Sequence, residues 1–154
     1  MYDLRLATLT DQYDILHMLH MFYQESSYNH MSYDFEKVSN RVLDILLTTN
    51  NEKIIILGTH DGKPVGLISG LVIPALFSEQ KVGVEHAWFV HPDHRTSRIG
   101  FKLLSAFEEW CRLVGCEMIQ MSSLRSSNVI VDRIYEGRGY ELVEKTYLKM
   151  IKES

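Results

Sequence analysis

Residues 84–101 read Val84-Glu85-His86-Ala87-Trp88-Phe89-Val90-His91-Pro92-Asp93-His94-Arg95-Thr96-Ser97-Arg98-Ile99-Gly100-Phe101. An apolar stretch ends at Val90 and Pro92 interrupts it. From Ile99 the residues Leu103, Ala106, Phe107, Trp110 and Val114 recur at helical spacing until Gly115. A strand therefore runs through a short cationic turn directly into a helix. Such a corner presents unpaired backbone N–H groups and the positive end of the helix dipole, which together attract anions. Arg95 and Arg98 add charge, Thr96 and Ser97 add hydroxyls, and Gly100 lets a ligand approach the backbone. Two readings fit these residues alone: a phosphate or pyrophosphate site, or a capped helix with solvated arginines.

Outward from this corner the chain alternates between the two regular structures. Tyr2 to Ala7 reads as a strand, and Thr8-Leu9-Thr10-Asp11 supplies helix-capping chemistry. Ile15, Leu16, Leu19, Phe22 and Tyr23 mark one helix, and Phe35, Val38, Val42, Leu43, Ile45 and Leu46 a second. Between them lies a polar and aromatic break at residues 26–33. Lys53 to Gly58 is a nearly continuous apolar strand, and Asp61-Gly62 turns it into Pro64 to Leu71. Glu117 to Ser122 reads as a short strand, Asn128 to Glu136 as a short helix, and Tyr140 to Ile151 as a closing strand. The order β-α-α-β-β-β-α-β-α-β describes an α/β (α+β) fold: a mixed central sheet of about six to seven strands flanked by about four helices.

The 154 residues are expected to form a single domain over 1–154. A net charge of −4 argues against nucleic acid as a partner, since such binders are usually basic. No apolar run is long enough to span a bilayer, and the N-terminus has no signal-peptide pattern, so a cytoplasmic, membrane-free protein is expected. Cys111 and Cys116 read as reduced thiols near an apolar helix. His86, His91 and His94 span a strand and a turn without ligand spacing, so no metal is expected.

Residues 84–140 resemble the GNAT superfamily of acyl-CoA N-acyltransferases. Its phosphate loop has Gln or Arg, two residues, Gly, one residue, then Gly or Ala, after a strand ending in Val-x-Pro. Arg95 to Gly100 after Val90-His91-Pro92 matches that pattern, with Arg98 standing where the family has glycine. A second family pattern is matched by Asn128, Val131, Tyr135, Gly139 and Tyr140, with Val131 in place of alanine.

The resemblance implies direct transfer of an acetyl group from acetyl-CoA, as co-substrate, to a primary amine on a small molecule or peptide. It implies coenzyme contacts at Phe89, Val90, Arg95, Thr96, Ser97, Arg98, Ile99, Gly100, Phe101, Asn128 and Tyr135. The backbone N–H of Val90 meets the thioester carbonyl, and Tyr135 protonates the departing thiolate. The base is sought at Glu85 or His86. Side chains alternate along a strand, which groups Glu85 with Ala87 and Phe89, and His86 with Trp88 and Val90, unless a bulge changes the count. The acceptor is expected over residues 26–33, near Tyr23, Tyr28 and Tyr33, with Glu25, Asp34 and Glu36 for its charge. A homodimer through the last strands is common among relatives. The competing function is a coenzyme-A-binding regulatory module of the same fold without efficient turnover, motivated by Arg98.

Overall fold

The computed structural model describes residues 1–48, 51–125, 127 and 129–152. Five strands form one sheet in spatial order β1 (Tyr2–Leu6), β2 (Lys53–His60), β3 (Lys63–Pro74), β4 (Lys81–Val90) and β5 (Met118–Gln120). The first four pair antiparallel and β5 joins β4 in parallel, which makes the sheet mixed. Four helices cover it: α1 (Gln12–Glu25), α2 (Phe35–Leu47), α3 (Ile99–Leu113) and α4 (Val129–Gly137).

The continuous apolar run of β2 is the signature of a strand covered on both faces. Ile55 and Leu57 pack with Ile15, Leu16 and Met18 of α1 and Val42 of α2. Ile54 and Ile56 pack on the opposite side with Ile99, Leu103 and Phe107 of α3 and Tyr135 of α4. Local chemistry starts the first two helices where the sequence signals them. The Asp11 carboxylate accepts from the Thr8 N–H at 2.8 Å and pairs with Arg5, which holds its pKa down to about 2. Asp34 accepts from the Lys37 N–H at 3.0 Å at the head of α2.

Helix α3 carries Ile99, Leu103, Phe107 and Cys111 on one ridge, four residues apart and fully buried. The ridge rests against bare backbone. A Cβ on Gly70 would stand 2.5 Å from Phe107 Cε1, and one on Gly83 would stand 2.3 Å from Cys111 Sγ. These approaches hold the later turns of α3 against the sheet, and Gly58, where a Cβ would stand 2.6 Å from Ile99 Cγ1, does the same for the first turn, next to the cationic corner.

The strand count is five rather than six or seven, and the closing strand over Tyr140 to Ile151 does not form. Strand propensity expresses a fit to a pleated, half-buried surface, and this segment meets none within the chain. Leu142, Val143, Tyr147 and Ile151 are 77–95 % exposed. The strand expected over Glu117 to Ser122 contracts to Met118–Gln120 for a related reason: only Val82 to Val84 of β4 pair with it. Both thiols are free, and burial pushes that of Cys111 up to about 12. Among the described residues no helix is long and apolar enough to cross a membrane.

Candidate active site

The two parallel strands β4 and β5 share three residue pairs and then part, leaving β4 from Glu85 to Val90 with an open edge. His91 donates its N–H to Val65 of β3 at 2.8 Å. Backbone groups of successive strand residues point to opposite sides, so the N–H and C=O of Val90 face the open edge. The carbonyl there accepts from Arg95 Nε at 2.8 Å, and the N–H is left toward the gap.

The corner at residues 91–101 is braced from within. A short 3₁₀ turn, Pro92–His94, precedes α3, and its end is tied by Ser97 Oγ donating to His94 O at 2.6 Å. Ile99 donates its N–H to Ser97 Oγ at 3.3 Å. The next amides, Gly100 and Phe101, lie in the first helical turn, where no intrahelical acceptor exists. A Cβ at Gly100 would come no closer than 3.5 Å to Val90 Cγ2, so the missing side chain leaves space rather than relieving a clash. Trp88 Nε1 donates to Gly100 O at 3.2 Å and fixes this turn to β4.

The two arginines play different parts. The Arg95 guanidinium pairs with Glu25 at the end of α1 at 2.7 Å and lies over the Phe89 ring at 5.4 Å. Its backbone N–H turns back to Pro92 O at 3.4 Å. Arg95 thus staples the corner to α1. Arg98 is the N-cap of α3 with φ −89° and ψ 9°, a conformation open to any L residue. Its exposed side chain has no hydrogen-bond or ion-pair partner among the described residues.

On β4 the alternation expected of Glu85 and His86 is corrected by a bulge. Ser69 pairs with Ala87 and Gly70 with Glu85, so His86 is the extra residue. Ala87 and Phe89 pack with α1 and α2, and Trp88 and Val90 with α3. Before the bulge, Gly83 faces Cys111 of α3, and Glu85, two residues on, shares that face. Glu85 therefore stands with Trp88 and Val90 rather than with Ala87 and Phe89. His86 faces the other way, into an open groove beside α2.

Glu85 and Tyr135 meet at the backbone of Ser122, just past β5. Glu85 Oε1 accepts from the Ser122 N–H at 3.3 Å, and the Tyr135 hydroxyl donates to Ser122 O at 2.8 Å. Burial pushes the Glu85 carboxyl up to about 7. Burial and the neighbouring Glu85 hold the Tyr135 phenol well above its ordinary range. Burial, with Arg41 and Lys53 nearby, lowers the pKa of His86.

Tyr135 is fixed by the residues that follow it. Gly139 has φ +88°, so the chain turns off α4 without Cβ strain. The Tyr140 ring then lies tilted 5.5 Å from that of Tyr135, and its hydroxyl donates to Glu108 of α3 at 2.9 Å, while Arg138 pairs with Glu108 at 2.6 Å. Asn128 lies outside the described residues. Among those residues no group of three or more His, Cys, Asp or Glu side chains is gathered for a metal.

A model of the acetyltransferase (GNAT) family matches residues 13–140. The chain belongs to this family. No curated protein matches it in sequence. Similar solved structures share the fold at low identity. One is the aminoglycoside N-acetyltransferase AAC(6')-Iy bound to a CoA-based bisubstrate analogue, with TM-score 0.79, 15 % identity and 99 % of each chain covered. Another is glucosamine-6-phosphate N-acetyltransferase from Arabidopsis thaliana, with TM-score 0.76, 16 % identity and 99 % of each chain covered. A third is a transcriptional regulator from Bacillus halodurans, with TM-score 0.77 and 21 % identity, covering 97 % of this chain and 99 % of that one.

In this acetyltransferase-family chain, the corner and the gap bring Val90, Arg98, Gly100, Phe101, Glu85 and Tyr135 to one side of β4. The segment at 26–33 is held to the end of α1. Tyr23 ties it down by donating its hydroxyl to the carbonyls of Asn29, at 3.0 Å, and Met31. Glu25 is engaged by Arg95 and Asp34 by the helix it caps. Ser122 and Trp88 were missed because their contributions are a peptide group and an indole bond across the gap, which no spacing announces.

Proposed function

We propose that this protein is an acetyl-CoA-dependent N-acetyltransferase that moves acetyl directly onto a primary amine. The observation that carries the reading is the open edge of β4, with free amides of α3 at one end and the Glu85–Tyr135 pair at the other. The Gly100 and Phe101 amides, the helix dipole and the Arg98 guanidinium suit a pyrophosphate. The Val90 N–H is oriented to stabilise the oxygen of the reacting carbonyl as it gains charge.

The remaining needs are two proton transfers. Glu85, poised near neutrality, takes the proton that the attacking nitrogen must lose, directly or through one water. The nitrogen–carbon bond forms first, with the carbonyl electron pair moving onto oxygen, and the carbon–sulfur bond breaks as this tetrahedral intermediate collapses. Tyr135, which burial keeps protonated, gives its proton to the leaving sulfur. The Ser122 peptide holds both side chains in register. His86 is a second candidate for the base, favoured by its neutral imidazole at the groove side of the bulge.

The competing reading is a coenzyme-binding module without turnover, motivated by Arg98. Two measurements divide the readings. Acetyl-CoA at about a hundred times its Kd is expected to raise Tm by roughly 5–10 °C, through binding to the native state alone. Release of free CoA thiol across a panel of amines is expected to identify an acceptor. A Tm shift with no thiol release from any amine supports the module, and no shift at saturation removes both.

A further inference from the structure

On the face of β4 opposite Glu85 and Tyr135, an open groove of about 780 Å³ runs between α2 and the sheet. Its floor includes Gly70 and Leu71 of β3 and reaches His86 at the bulge, next to the residue that begins the open strand edge. It is therefore placed to bring a second molecule to the gap from the side away from α3. Its charges are supplied by α2 (Glu36, Lys37, Arg41, Asp44), by Asp34 at the head of α2, by Lys53 of β2 and by His86 of β4.

Two of the three carboxylates that line the groove already have partners. Asp44 pairs with Lys53 Nζ at 2.8 Å. Asp34 accepts from the backbone of Lys37. Arg41 has no carboxylate within ion-pair distance among the described residues, whereas Lys53 is paired with Asp44, so the charge left over toward His86 is that of Arg41. An unpaired guanidinium on the groove wall offers a site to an anionic group.

We infer that the groove receives the acceptor, and that the acceptor carries a carboxylate or phosphate a few bonds from the amine, held by Arg41. The anionic group anchors at α2 while the tethered amine reaches past His86 to the open edge of β4. This rests on the proposed acetyl transfer and names the chemical class of its second substrate. A guanidinium is suited to either anion, since its fork matches two oxygens at once.

The test uses matched acceptors: α-amino acids beside their carboxamides, and a phosphorylated amino sugar beside its unphosphorylated form. With the wild-type chain, kcat/KM from thiol release is expected to be at least about tenfold higher for the acidic member of the preferred pair. Arg41→Gln, at an exposed position, is expected to erase that preference by raising the KM of the acidic acceptor about tenfold. The KM for acetyl-CoA should not move. Amides that serve as well as acids, or a preference that survives in Arg41→Gln, overturn the inference while leaving acetyl transfer intact.

Calorimetric binding of the same pairs gives a reading even without turnover. An acid that binds no tighter than its amide, in the presence of CoA, overturns the inference. Tighter binding of the acid that is lost in Arg41→Gln supports it whether or not acetyl transfer is seen.

Discussion

On the α3 side of β4, residues 88–101 brace one another over short stretches of chain: Ser97 with His94, Arg95 with Val90, Trp88 with Gly100. On the α2 side, the groove draws Arg41, Lys53, Gly70 and His86 from four separate elements. The first region offers mostly backbone amides, which every sequence possesses and only local geometry aims. The second offers side chains, which differ freely without disturbing the sheet. The contrast teaches a division of labour: a corner built from the main chain suits one invariant ligand, whereas a groove built from scattered side chains can be retuned for its acceptor.

That division is broken most directly at Tyr135. If the α3 side carries the chemistry, Tyr135→Phe removes the proton donor and keeps the ring packed near Trp88 and Tyr140. The expected loss in kcat is about a hundredfold or more, with acetyl-CoA affinity nearly unchanged. Turnover equal to wild type would dismiss the acid role and leave Tyr135 as packing.

Glu85 gives the next largest effect and a sign that can be checked. Its pKa rises from 4.5 to about 7 on folding, so the folded chain keeps a proton that the unfolded chain has lost. Stability from this residue is fully present below pH 4.5 and declines as pH rises through 7, by up to about 3 kcal/mol. Glu85→Gln should therefore flatten the stability profile over that window in denaturant titrations. The same substitution should remove a rising limb of kcat/KM centred near pH 7. A limb that survives in Glu85→Gln and disappears in His86→Gln transfers the base to the groove side and erases the proposed division.

The contrast also explains how much could be read beforehand. The corner was legible because Arg95 to Gly100 is one continuous segment and its partner, Tyr135 to Tyr140, contains Gly139, the glycine that the turn off α4 requires. The groove was not, because no spacing relates Arg41 to His86. The facing of Glu85 was left to hang on a bulge, which inserts His86 where strict alternation admits no extra residue. The closing strand was misread because residues 140–151 have the composition of a strand but no sheet edge to join. Local chemistry is written in neighbouring residues, whereas facing and pairing depend on what the rest of the chain brings alongside.

Arg98 is the smallest and most discriminating test, because it is the one place where a side chain enters the backbone-built corner. Its φ and ψ do not call for glycine, so the arginine costs the fold nothing at the backbone. Its exposed guanidinium extends from the first turn of α3 without a protein partner among the described residues. A solvated charge near a phosphate contributes of order 1 kcal/mol or less, so Arg98→Gly should weaken acetyl-CoA binding by about three- to fivefold at low salt. That difference should shrink as ionic strength rises, since exposed charge pairs are screened within about 10 Å at 0.1 M salt. Arg98→Lys should recover part of the affinity, because it keeps the charge and loses the fork. Tighter binding in Arg98→Gly would instead mean that the side chain crowds the pyrophosphate, and that the corner holds its ligand by backbone amides in spite of the residue that replaced glycine.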